Sequence, residues 1–363
     1  MSALNRTRVA WPAVALLAFT APIAAAPAPE PVPASPLEKY FPDDSNGIVL
    51  INVKQILASP AYTKMYQKQV EGLLAMDQVQ PWLKDCGFNP LKDIDLAAVI
   101  MSPSAQPMNS PGSGGPFIIF QGRFDPVKFQ AKADQIVKDG MGGGIFKSSK
   151  AGDTTIYEVG FPHGPTFFAC LLDKTTLVAA PVKDLAVEAL DKAAGKKTTK
   201  LKNEALKKKL DKMDPKNSVT MVGMGDMVIG GHSSVTIQCG VQRVESHSDT
   251  LADNGIETAE AAIVVSDDIK GKVTLTTKDA EKAKELAKTM ETGIERAIDE
   301  GTKQNIPEVT TMVEALKSIK TSTKEEKILM EGKANPGVIQ SFFSYVLMGR
   351  SAPATRVAPP CPQ

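Results

Sequence analysis

The chain has 363 residues, with 42 basic and 41 acidic side chains, three histidines, 42% hydrophobic and 6% aromatic content, and a formal charge of +1 at neutral pH. So even a balance removes the general electrostatic reason to expect nucleic acid or an anionic membrane as partner, and the apolar fraction is enough to bury real cores. The length exceeds the size at which a single core stops growing, so two units are expected.

Residues 1–26 read as an export signal: Arg6 and Arg8 open it, residues 9–23 are almost wholly apolar, and Ala24, Ala25 and Ala26 supply the small residues a signal peptidase needs. The apolar run contains Pro12 and Pro22 and falls short of the roughly 20 residues that a spanning helix needs. Cleavage after Ala26 or Ala28 is therefore expected, and the first cysteine, Cys86, is too distant to accept a lipid. These features predict an exported product, periplasmic or extracellular, with no stable membrane anchor. Loss of Arg6 and Arg8 leaves 40 basic residues against 41 acidic ones. Residues 27–36 alternate proline with small residues and read as an extended spacer.

Residues 37–195 are expected to form a first α+β module. Residues 47–53 read as a strand, and residues 54–74 as a helix with Ile56, Leu57, Tyr62, Met65 and Tyr66 toward the core. Residues 83–88 look like a helix end closed by Gly87. A buried strand at residues 97–100 follows, then a mobile loop at 102–116 rich in serine, proline and glycine, and a second strand at 117–124. Asp125 and Pro126 open a helix that runs to about Lys138. Three strands at 154–159, 166–172 and 175–180 come next, so closely joined that antiparallel pairing is expected. A helix over 182–194 closes the module.

Residues 196–212 form a lysine-rich connecting helix or linker, with eight lysines against Glu204 and Asp211. It could serve an anionic partner, but it lacks aromatic residues that would stack bases, and a solvated helix with Leu201, Ala205, Leu206 and Leu210 as core contacts explains it. Residues 213–349 are expected to form a second module that echoes the first. Gly255 repeats the Gly87 motif, residues 261–264 resemble 97–100, and the helix near Thr277 resembles that at Asp125. The separation between matching segments shrinks along the chain, which places an insertion in the first half, at the 102–116 loop. Residues 326–332, followed by a helix over about 336–347, resemble residues 175–180 and 182–194. Residues 350–363 are a disordered tail rich in proline and alanine. The expected fold class is thus α+β: two tandem, weakly similar modules of mostly antiparallel sheet with helices on one face.

The chemistry-bearing residues do not assemble into a familiar site. In an oxidising compartment Cys86, Cys170, Cys239 and Cys361 allow three complete pairings, which sequence leaves open, with Cys170 best read as a buried free thiol. His232, Cys239 and His247 could converge on a metal only across a hairpin; their spacing is unlike compact zinc motifs, and surface or loop positions are expected for His163, His232 and His247. Neither Ser113 nor Ser233 has the flanking glycines of a hydrolase elbow. The Gly140 to Gly144 run follows a helix rather than opening one, and Gly223-Met224-Gly225 lacks the third glycine of a dinucleotide loop. Asp43-Asp44 and Asp267-Asp268 are read as turn formers rather than acid and base pairs. No catalytic, cofactor-binding or metal-ligating residue is therefore expected.

Phe41-Pro42-Asp43-Asp44-Ser45 before the strand at 47–53, with the Gly87 and Gly255 motifs and the two hairpin-to-helix units, resembles a group of exported bacterial proteins of planctomycete type. The group has no assigned activity, so the resemblance implies export and a duplicated α+β plan and transfers no site residue. The expected function is a non-enzymatic binding or structural role in the bacterial cell envelope, with another envelope protein or polymer as partner and no nucleic acid. The alternative is an envelope hydrolase or other enzyme with an unrecognised site.

Overall fold

The structure, a computed structural model, describes residues 35–76, 80–105, 115–139, 145–160, 166–238, 241–304 and 306–338. The signal, most of the spacer, the tail, the central part of the 102–116 loop, Gly140 to Gly144, Ser113, His163, Cys239, Cys361 and residues 339–347 of the helix expected near the end lie outside the described residues.

The chain enters through α1 (Ser35–Glu38), which begins inside the expected spacer, and β1 (Gly47–Ile51). The single helix expected over 54–74 is three short ones: α2 (Val53–Leu57), α3 (Pro60–Met65) and α4 (Gln67–Leu74). The breaks are local chemistry. Asn52 accepts the Gln55 N–H to cap α2, and Ser59 accepts the Tyr62 N–H to open α3 with Pro60 at its first position. Then come α5 (Gln80–Asp85), α6 (Pro90–Asp93), β2 (Ile94–Met101), β3 (Phe117–Gly122) and α7 (Pro126–Asp139). A meander of β4 (Ile145–Ala151), β5 (Thr154–Gly160), β6 (Thr166–Leu171) and β7 (Thr176–Ala180) leads to α8 (Lys183–Ala193) and α9 (Glu204–Leu210).

The second half starts at β8 (Val219–Met224), followed by a long hairpin of β9 (Val228–Gln238) and β10 (Val241–Thr250). It continues through β11 (Ile256–Val265), β12 (Ile269–Thr277), α10 (Ala280–Gln304), α11 (Pro307–Lys317), β13 (Lys320–Lys324) and β14 (Lys327–Ala334).

Twelve of these strands join into one antiparallel sheet, ordered β13-β14-β12-β11-β8-β1-β2-β3-β7-β6-β5-β4, while among the described residues β9 and β10 form a separate two-stranded sheet. The fold class is α+β with a mostly antiparallel sheet, as expected, and the two halves share the sheet. Their seam is β1 against β8, with Gly47 opposite Gly223 and Ile51 opposite Val219. Outward from the seam the order is the same on both sides: β1-β2-β3-β7-β6 on one, β8-β11-β12-β14-β13 on the other.

Details repeat along with the order. Gly87 and Gly255 both have positive φ, at 61° and 75°. In both motifs the next residue reaches back five positions, Phe88 N–H to the Leu83 carbonyl and Ile256 N–H to that of Leu251, which is a Schellman closure. A bulge interrupts the next strand between Ile94 and Leu96 in one half, and between Ile256 and Thr258 in the other. Aligning the two bulges makes Ala97 correspond to Ala259, and not to Ala261 as the resemblance between residues 97–100 and 261–264 had it. Asp125 caps α7 through the Lys128 N–H, and Asp279 accepts the Lys282 N–H at the start of α10 in the same way.

Strand alternation divides the core. One face carries Ile48, Leu50, Ala98, Ile100, Ile119, Val178, Cys170 and Val222, covered by α1, α8 and α9 through Leu37, Leu185, Ala186, Ala189, Leu206 and Leu210. The opposite face packs Val53, Leu57 and Tyr62 on Ala97 near the seam. Farther out on that second face, Ala283 and Ala287 of α10 pack with Ala259, Leu275 and Ile328. The first half thus carries helices on both faces rather than on one, because its central strands are apolar on both sides and need two covers. The outermost strands β4 and β13 hold exposed lysines, Lys147, Lys150, Lys320 and Lys324, a standard guard against edge-to-edge pairing.

Replacing Gly255 by alanine should lower stability by about 1–2 kcal/mol, because an L side chain resists positive φ. Gly271→Ala, where an added Cβ meets nothing within 4 Å, should fall well short of that loss in urea denaturation.

Candidate functional site

The most densely connected polar cluster joins the segment before β1 to α8. In α8, Leu185, Ala186 and Ala189 turn an apolar side to the sheet, and Lys192 lies on the same side with its side chain only 1% exposed. Its ammonium donates to the Phe41 carbonyl at 2.6 Å and to the Asp43 carboxylate at 2.9 Å, and pairs with Glu188 one helical turn back at 2.6 Å. A charge so buried requires such partners. Lys197 closes the cluster on the other oxygen of Glu188 at 2.6 Å, and the backbone N–H groups of Lys200 and Lys202 bond Asp43.

Burial raises the pKa of both Asp43 and Glu188, but the hydrogen bonds and charges of Lys192 and Lys197, with the Lys200 N–H for Asp43, outweigh it and hold both below the ordinary carboxylate range. Asp44 behaves likewise. Burial opposes ionisation, and the Ser102 and Ser104 hydroxyls at 2.5 and 2.8 Å, with the Ser104 N–H at 3.0 Å, more than compensate. The pair Asp43-Asp44 is therefore split: one carboxylate holds a buried lysine, the other closes the turn after β2.

The other candidate residues take comparable places. Asp267 and Asp268 sit in the β11–β12 turn and pair with Lys64 at 2.9 Å and Lys333 at 2.8 Å. In the lysine-rich stretch Lys196 pairs with Asp191 and Lys209 with Glu260, while Leu201, Leu206 and Leu210 are buried and Ala205 is exposed. Cys86 and Cys170 are buried free thiols, and burial pushes their pKa up to about 11 and about 12, so neither is a thiolate at neutral pH. A cleft beside β1 and β8, lined by Leu50, Asn52, Met213, Asp214 and Asn217, has a volume of about 20 Å³, room for one water.

Gly225 leads into β9 instead of a helix, so no phosphate cradle forms at Gly223-Met224-Gly225. His232 and Ser233 are adjacent in β9 and so lie on opposite faces of the hairpin. Of the trio His232, Cys239 and His247, the two histidines meet as direct register partners across β9 and β10. Gln238, the last described residue before Cys239, is six positions along the strand from His232, about 20 Å away at the usual rise.

Sequence reading missed Lys192. Its signal was present: a lysine four residues after Glu188, on the side of α8 that also carries Leu185 and Ala189.

No family model and no curated protein matches this chain. Among solved structures it is similar to that titled "Structure of crystal form I of TP0453", with a TM-score of 0.42 and 7% identity over 86% of this chain and 97% of the other.

Asp43→Asn should cost about 2 kcal/mol, less than the usual 3–5 for breaking a buried pair, because Glu188 and the Phe41 carbonyl remain on Lys192. The depressed carboxylates also fix a pH sign. They bind protons less readily folded than unfolded, so their stabilisation is complete above the ordinary range near pH 4 and lost as pH falls through the lower folded values. Urea midpoints at pH 7 and pH 3 should therefore differ, and by less in D43N than in the native chain.

Proposed function

We propose that this chain is an exported binding or structural protein of the bacterial cell envelope that acts without catalysis. The observation that carries the reading is the use made of its ionisable residues. Asp43, Glu188, Lys192 and Lys197 tie the chain entry to α8, Asp44 closes a turn, and Asp267 and Asp268 hold Lys64 and Lys333. Such groups are committed to the fold, whereas a hydrolytic site needs an acid or base free to reach substrate. The signal in residues 1–26 and the resemblance to exported planctomycete-type proteins support the compartment. Among the described residues, Lys272, Glu331 and Lys333 are exposed on adjacent strands of the second half, a surface suited to a macromolecular partner more than to a small substrate.

Production of the full chain in a bacterial host should yield a shortened, envelope-soluble product beginning at residue 27 or 29. In a screen of ester, phosphate, glycoside and peptide substrates that product should give no turnover. Retention in the cytoplasm at full length, or turnover that copurifies with the folded protein, would overturn the reading.

A further inference from the structure

The side of the sheet that α8 and α9 cover in the first half carries exposed lysines in the second. α10 packs on the other side, against Ala259, Leu275 and Ile328. Alternation along the strands therefore places Lys270 and Lys272 of β12 and Lys327 and Lys333 of β14 away from α10, and the register adds Lys320 and Lys324 of β13. All six are exposed. They lie in the same layer as Val222, through the pairs Val222 with Glu260, Glu260 with Thr274 and Thr274 with Leu329.

The whole chain is close to neutral, so this charge is a local concentration rather than a result of composition. Two pairs oppose like charges directly: Lys270 with Lys333, and Lys324 with Lys327. Such pairs are destabilising, and the carboxylates nearby offset them only in part. Asp268 holds Lys333 at 2.8 Å and Glu331 holds Lys272 at 3.0 Å. Glu260, at the inner border, is taken by Lys209, and Glu325 and Glu326 form the turn after Lys324. Among the described residues, Lys270, Lys320, Lys324 and Lys327 have no ion-pair partner. Edge protection accounts for the lysines of β13, but Lys270, Lys327 and Lys333 belong to β12 and β14, which are paired on both edges.

The face also selects among polyanions. From Lys327 to Lys333 its lysines span about 20 Å along the strand, with neighbouring strands about 4.8 Å apart, which suits an extended chain more than a compact anion. Thr274 and Ser322 occupy the row between the lysine rows, and their hydroxyls can donate to or accept from a hydroxyl-bearing chain. No aromatic residue stands among them to stack bases. Leu329, the apolar residue of that row, is half-buried and gives a lipid surface little to anchor on.

We propose that the face formed by β12, β14 and β13 binds an acidic polysaccharide of the cell envelope, with Lys270, Lys324 and Lys327 supplying uncompensated charge. The proposal names the partner class for the binding role inferred above and rests on that reading for its compartment.

The test is calorimetric titration of the full mature chain with polygalacturonate, a carboxylated glycan, at low ionic strength, compared with neutral dextran, single-stranded DNA and vesicles of anionic phospholipid. The expected result is saturable binding to polygalacturonate, none to dextran and weaker binding to DNA and vesicles. Binding should disappear in about 1 M salt, where the screening length shrinks to about 3 Å. The triple variant K270Q/K324Q/K327Q should lose about tenfold or more in affinity. Its urea midpoint should not fall, because the substitutions remove two like-charge oppositions. The variant K147Q/K150Q, on the opposite edge strand β4, should bind as the native chain does. No binding to polygalacturonate, DNA or vesicles bound as tightly, unchanged affinity in the triple variant, or an equal loss in the β4 variant would each overturn the proposal. An exported, inactive chain that ignores the glycan would sink this proposal alone, whereas cytoplasmic retention or copurifying turnover would sink the envelope reading whatever the titration gives.

Discussion

Everything in this molecule hangs on the pairing of β1 with β8. Most of the first half of the chain lies between those strands in sequence, and by pairing, Gly47 with Gly223 through Ile51 with Val219, they turn two sets of strands into one sheet. The seam also divides the packing. On one side of the sheet Ile48 and Leu50 of β1 and Val222 of β8 enter a core with α8 and α9, and on the other Ile51 joins the layer beneath α2 and α3. A strand buried on both faces and bonded on both edges has no solvent-facing alternative, so its register is strongly specified.

The lysine cluster follows from the seam. Residues 37–46 must run back across the sheet to deliver β1 to its place, and Leu37, Tyr40 and Phe41 are buried there. Apolar burial holds that segment down without fixing its direction. The Phe41 carbonyl and the Asp43 carboxylate fix it, by meeting the one buried ammonium that α8 presents among the described residues. Glu188 and Lys197 balance the charge, so that the cluster is a positional device held by ion pairs, with Glu188 Oε1 facing the Lys192 ammonium without a well-aligned hydrogen bond. The same economy recurs at the turns, where Asp44 and Asp268 each bind a partner supplied from a neighbouring strand or turn.

Much of this was legible in the residues. Strands at residues 47–51 and 97–100 stand where their composition put them, although the strand expected over 47–53 stops at Ile51 because Asn52 caps α2 and Val53 opens it, and the Gly87 and Gly255 motifs adopt the left-handed backbone that glycine there implies. What resisted reading was pattern weakened by context. β4 and β13 are edge strands whose lysines and serines hide any apolar alternation. The expected helix over 54–74 kept its periodicity across Ser59 and Pro60, although that pair is a capping signal strong enough to break it. Layering was underestimated because alternation does not say which of two apolar faces a later helix will cover. Whether His232 faces His247 across a hairpin stayed open for a different reason: register depends on where the turn falls, and a one-residue shift would have put the two positions on opposite faces.

The claim that the two halves fold as one body through the seam is tested most directly by native-state amide hydrogen exchange read at β1 and β8. If the seam holds the sheet together, the amides of residues 48–51 and 219–223 exchange only through global unfolding, with one common free energy that matches the single denaturation transition of the whole chain. Exchange of those amides through a separate lower-energy opening, with the halves unfolding in two resolved transitions, would contradict the account.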